Sequence, residues 1–142
     1  MAAAFDGAKA EAFGGQMMGV LNGAMISIMC SVGHQTGLFD RMADMEPATS
    51  DQIARTAGLN ERYVREWLAA MVTGRIVDYD AGTRTYSLPA EHAASLTRAA
   101  GPGNMCNMLQ FTALIGDVEQ EPSRASRTAA AFRIRAIRAS SA

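Results

Sequence analysis

The chain has 142 residues, of which 49% are hydrophobic, 19% charged and 6% aromatic, the composition of one folded domain rather than of a disordered or fibrous chain. These 142 residues leave no room for a nucleotide-binding sheet plus a substrate domain, which together need about 250. The net charge of −1 hides a split: residues 1–121 carry all 14 acids and 8 bases, a net of −6, whereas residues 122–142 carry five Arg and no acid.

The N-terminus lacks the basic segment of a secretory signal, and Cys30 and Cys106 lie far apart in the sequence, so the expectation is a reduced, cytoplasmic protein whose thiols are core residues. No charged residue occurs between Glu11 and Asp40. The stretch is interrupted by Gly14, Gly15, Gly19, Gly23, Gln16 and Asn22, which argues against a membrane span. Met18, Leu21, Met25, Ile28 and Val32 step by 3, 4, 3 and 4, the spacing of a helix-packing seam. Val20, Ala24, Ile26 and Met29 cover the other sides, so a domain this small cannot bury the helix alone. A partner surface is implied, and a homodimer is the simplest.

Thr49 with Gln52 forms a capping box for a helix through Ile53, Ala54 and Ala57. Gly58-Leu59-Asn60 makes a turn, and Asn60 caps a second helix carrying Val64, Trp67, Leu68 and Met71 and closed by Gly74 at C′. Arg75–Tyr79 and Arg84–Leu88 flank the turn Asp80-Ala81-Gly82-Thr83, a hairpin. Helix-turn-helix plus hairpin predicts a mainly α winged helix with long flanking helices at both ends. A helix follows over roughly 90–96, Gly101-Pro102-Gly103-Asn104 breaks the chain, and Met105, Met108, Leu109, Thr112 and Ile115 form one more apolar face. Residues 1–121 read as the domain. Residues 122–142, rich in Arg, Ala and Ser with three large apolar residues, read as a disordered tail. With 27 Ala and twelve Arg against one Lys, that tail is either a genuine basic extension or the product of a frameshift in a GC-rich gene.

Chemistry-bearing motifs are scarce. Cys30 and His34 at i, i+4 could present two metal ligands, but a structural zinc site takes four, so no metal is expected. Gly101-x-Gly103 follows no strand, and Pro102 removes an amide donor, so it is a turn rather than a phosphate loop. Between Thr49 and Leu88 five bases (Arg55, Arg62, Arg65, Arg75, Arg84) balance five acids (Asp51, Glu61, Glu66, Asp78, Asp80), which disfavours sequence-specific DNA binding.

The segments VLNGAMISIMCSVGHQTGLFD, ATSDQIARTAGLNERYVREWLAAMVTGRIVDYD, TYSLPAEHAASLTRAA and NMLQFTALIGDVE resemble the N-terminal winged-helix region of a bacterial family of class I S-adenosylmethionine-dependent methyltransferases. Gly37-Leu38-Phe39-Asp40 and Glu61-Arg62-Tyr63-Val64-Arg65-Glu66-Trp67-Leu68 carry it most specifically. The resemblance implies a dimerisation domain that roofs the substrate pocket of small-molecule methyltransferases, followed in the full-length family by a cofactor-binding sheet. No acidic-x-Gly-x-Gly-x-Gly segment occurs in these residues, so no cofactor is expected for this chain. The reading is a truncated or orphan dimerisation and substrate-lid domain, not catalytic by itself, that forms homodimers or pairs with intact methyltransferase subunits. His34, Asn107 and Gln110, polar groups on apolar helices, are the candidate substrate-facing residues. The alternative is a winged-helix transcriptional regulator that binds DNA.

Overall fold

The computed structural model describes residues 4–111. Helix α1 (Gly7–Thr36) starts where the Asp6 carboxylate accepts the amides of Ala8 and Lys9 at 3.1 and 3.2 Å. It ends at Gly37, whose φ of +73° lets its N–H reach back to the carbonyls of Gly33 and His34. The short helix α2 (Leu38–Ala43) follows at once and buries Leu38, Phe39 and Met42.

The helix-turn-helix is α3 (Ser50–Ala57) and α4 (Glu61–Thr73), with the expected capping box at Thr49 and Gln52 and the Asn60 side chain on the Arg62 amide at 3.0 Å. Val64, Trp67, Leu68 and Met71 of α4 are at most 2% exposed and form the centre of the core with Phe39, Ile53 and Val77. The wing is β1 (Asp78–Asp80) paired antiparallel with β2 (Thr85–Ser87) in the register Tyr79↔Tyr86, and Ala48 adds a single bridge to Tyr86. Helix α5 (Ala90–Leu96), a 3-10 turn (Arg98–Gly103) and α6 (Met105–Leu109) close the domain, with α6 packed on α1.

Four details differ from the sequence expectation. Gly74 ends α4 with a right-handed φ of −76°, and Arg75 takes the left-handed one, +57°. Gly74 also leaves room for the Ile26 side chain, whose Cδ1 would lie 2.8 Å from a Cβ at this position and would have to shift. Arg75–Val77 are not strand: the amides of Ile76 and Val77 turn back onto the Met71 carbonyl, and the hairpin starts at Asp78 with its loop at residues 81–84. On α1, Ile26 and Met29 lean on the core while Val20 is exposed. On α6, Cys106 and Leu109 turn inward whereas Met105 and Met108 are exposed. Thr112, Ile115, the remainder of the C-terminal flank and the boundary at Glu121 lie outside the described residues.

Candidate functional site

Among the described residues, helix α1 is covered only towards its C-terminal end. Every residue from 7 to 23 is exposed, and burial begins where Ile26, Met29, Cys30, Gly33 and His34 meet the core. Two close fits anchor that end. The Trp67 indole N–H donates to the Met29 carbonyl at 2.8 Å. Gly33 lies directly beneath the Trp67 and Phe39 rings, which meet edge to face at 5.2 Å.

The five seam residues of α1 are 39–57% exposed, although all are large and apolar. They form a continuous stripe from the uncovered half of the helix into its anchored half, and Phe13, Met17 and Val20 add to the exposed apolar surface. Beside the stripe, α1 and α4 enclose an open groove of about 630 Å³ lined by Gly23, Met25, Ile26, Ala70, Thr73 and Gly74. Its walls are mostly apolar, with Asn22 and Thr73 the polar residues on them, and carry no charge.

The polar candidates fare differently. His34 is buried with its Nδ1 unpartnered, while its backbone carbonyl accepts Arg98 Nη2 at 2.6 Å. Asn107 is exposed on α6, and the half-buried Gln110 amide reaches back to the Cys106 carbonyl at 3.4 Å. His34 and the two α6 residues sit on helices that pack together, without a convergent polar pocket among the described residues. Sequence reasoning missed the tie that holds this end: Arg98 donates from its backbone amide to Asp40 Oδ1 at 2.7 Å, and its guanidinium pairs with Asp40 Oδ2. Fifty-eight residues separate the pair, and no local pattern marks it.

Cys30 and Cys106, distant in sequence, are brought into electrostatic reach of each other by the packing of α1 on α6. Burial, and then the proximity of Cys106, pushes the Cys30 thiol up to about 11, and burial followed by Asp40 raises Cys106. A nucleophilic cysteine needs the opposite shift. No group of three metal-ligating side chains occurs among the described residues.

On the winged helix, Arg55 pairs with Asp51 and Arg65 with Glu61, each within its own helix, and Glu61 also accepts the Ser50 hydroxyl at 2.8 Å. The wing turn presents Asp80, whose carboxyl is held below its ordinary range by the amide of Gly82 and then by Thr83. Carboxylates at both the start of α4 and the tip of the wing repel a phosphate backbone.

Residues 24–98, more than half of the chain, match the Rv2258c-like winged HTH domain. The chain belongs to that family. No characterised protein matches the full sequence closely enough to add to this. Solved structures with a similar fold include human N-acetylserotonin methyltransferase in complex with SAM, at 21% identity and a TM-score of 0.56 over 80% of this chain and 32% of that one. PigF with SAH is similar at 22% identity and a TM-score of 0.55 over 75% and 29%, and mitomycin 7-O-methyltransferase MmcR at 22% and 0.59 over 75% and 31%. At these identities the likeness is one of fold. This winged HTH domain therefore spans about a third of the length of those proteins and corresponds to their N-terminal region. The described residues do not form a class I S-adenosylmethionine site: the sheet among them is one antiparallel hairpin, and Gly101-Pro102-Gly103 lies in a 3-10 turn rather than after a strand.

Proposed function

We propose that this winged HTH domain is the dimerisation and substrate-lid module of a small-molecule S-adenosylmethionine-dependent methyltransferase, with the cofactor and the chemistry held outside these 142 residues. The observation that carries the reading is the charge-free stripe Met18, Leu21, Met25, Ile28 and Val32, half exposed on a helix that the described residues cover only at one end. Monomers rarely leave so long an apolar face in water, and removing it from water is the main driving force for association. His34, Asn107 and Gln110 are assigned to the lid side of a substrate pocket completed by the catalytic domain; the unpartnered Nδ1 of His34 supports this for the first of them. Intact methyltransferase subunits presenting the same stripe are a second class of partner, and the chain works in the cytoplasm.

Sedimentation of the purified chain at micromolar concentration tests the reading. The expected species is a dimer, and Leu21→Asp, which places a charge in the seam, is expected to give monomer because burying an unpaired carboxylate is strongly disfavoured. A well-folded wild-type monomer would refute the proposal. Calorimetric titration with S-adenosylmethionine is expected to show no heat beyond dilution, and saturable micromolar binding would refute the assignment of the cofactor site to another domain.

A further inference from the structure

Resting on the dimer reading above, we infer the arrangement of the pair: a second copy of this chain docks antiparallel along α1, with the twofold axis passing at Met25. Three observations lead there. The first is that residues 7–23 make a helical arm of about 25 Å at 1.5 Å per residue that no other described residue covers. An uncovered helix of this length is marginal, and Gly14, Gly15 and Gly19 each weaken it by about 1 kcal/mol relative to Ala. The arm needs a rigid surface.

The second is that the stripe spans both halves of the helix. Met18 and Leu21 are on the arm, Ile28 and Val32 on the half that Trp67 and Phe39 hold, and Met25 lies between them. An antiparallel partner centred on Met25 sets the arm's Met18 against Val32 and its Leu21 against Ile28, so each arm is braced by the other copy's anchored half. A parallel partner sets arm against arm, leaves both unbraced, and brings the two globular bodies to the same end.

The third is symmetry. A twofold interface must be complementary to itself, and the spacing 3, 4, 3, 4 places Met18 and Val32 seven residues from Met25 on either side, with Leu21 four residues before it and Ile28 three after, one residue off exact register. No charge occurs from residue 12 to residue 39, so nothing opposes the overlay of this stretch on its inverted copy. A bilayer surface is a poorer occupant of the same stripe. Although α1 is long and apolar enough to cross a membrane by length and composition, Lys9 is its one base, whereas helices that lie on membranes line their polar face with Lys and Arg.

Site-directed cross-linking of the full chain tests this. Met25→Cys, Met18→Cys and Val32→Cys all alter exposed positions, and the native thiols are buried and serve as the unreactive background. With a short bis-maleimide, Met25→Cys is expected to link to itself. Met18→Cys and Val32→Cys, coexpressed with different tags, are expected to link to each other, and neither to itself, because the antiparallel pairing separates like positions by about 21 Å. Self-linking of Met18→Cys without the mixed product overturns the antiparallel arrangement while leaving the dimer intact. A sedimenting dimer that none of these pairs captures overturns the choice of face. A monomer overturns both this inference and the function above. Flotation of the chain with anionic vesicles, without self-association, assigns the stripe to a lipid surface instead.

Discussion

Replacing Gly33 by Ala tests the joint through which α1 is held. A Cβ at this position would lie 2.5 Å from Trp67 Cζ2, 2.8 Å from Phe39 Cε2 and 3.0 Å from Trp67 Cε2. Neither ring can swing away, because both are at most 2% exposed and the indole is fixed by its bond to the Met29 carbonyl. Overpacking a filled core costs roughly 1–3 kcal/mol, and contacts on immobile rings belong at the upper end. Ala returns about 1 kcal/mol of helix propensity. The net loss is about 2 kcal/mol, a fall of roughly 10 °C in Tm for a domain of this size. Gly19→Ala on the same helix is the control, because its Cβ meets nothing within 4 Å and should stabilise by up to about 1 kcal/mol. Thermal melts followed by circular dichroism at one fixed protein concentration compare the two. If Gly33→Ala melts at or above the wild-type temperature, α1 is not held by the ring contacts described.

Arg98→Ala removes the guanidinium donors to Asp40 Oδ2 and to the His34 carbonyl but keeps the backbone amide on Asp40 Oδ1, and because the guanidinium is half exposed the expected loss is modest, about 1 kcal/mol in urea unfolding. Buried thiols set an alkaline limit. Cys30 ionises near 9.0 when unfolded and at about 11 when folded, so its contribution to stability is complete below pH 9.0 and is lost as pH rises through about 11. Denaturation at mildly and at strongly alkaline pH should show the decline, and Cys30→Ala should flatten it. In gel shifts with random-sequence duplex DNA, any binding is expected to disappear with added salt, and a salt-resistant footprint would favour the regulator reading.

Local signals carried the winged helix. Thr49 and Gln52, Gly58 and Asn60 act within three or four residues of themselves, so their roles can be read without knowing what packs where. Misreadings arose where a distant group decides. Gly74 read as the C′ glycine of α4, but it ends the helix with a right-handed φ, and its neighbour across the packing is Ile26, forty-eight residues earlier. Arg75–Val77 had strand composition, yet the Val72 carbonyl captures the Arg75 amide and the Met71 carbonyl those of Ile76 and Val77 before pairing can begin. The seam was legible because apolar spacing on a helix is a property of the helix alone. The Arg98–Asp40 tie, the closeness of Cys30 to Cys106 and the orphaned His34 nitrogen all depend on how α6 and the 3-10 turn fold back over α1, which no short window of sequence contains.

Trp67 is the chain's one tryptophan, and it sits where α1, α2 and α4 meet, with its ring against Phe39 and its N–H on Met29. A single indole thus stands at the junction between the winged helix and the arm-bearing helix, and excitation near the red edge of its absorption selects it over the three tyrosines. Emission from an intact joint should be blue-shifted and resistant to quenching by iodide, and it should stay so while the arm frays. Loss of the joint should redden it before the wing opens. The indole emission reports optically on the attachment of α1 without a label.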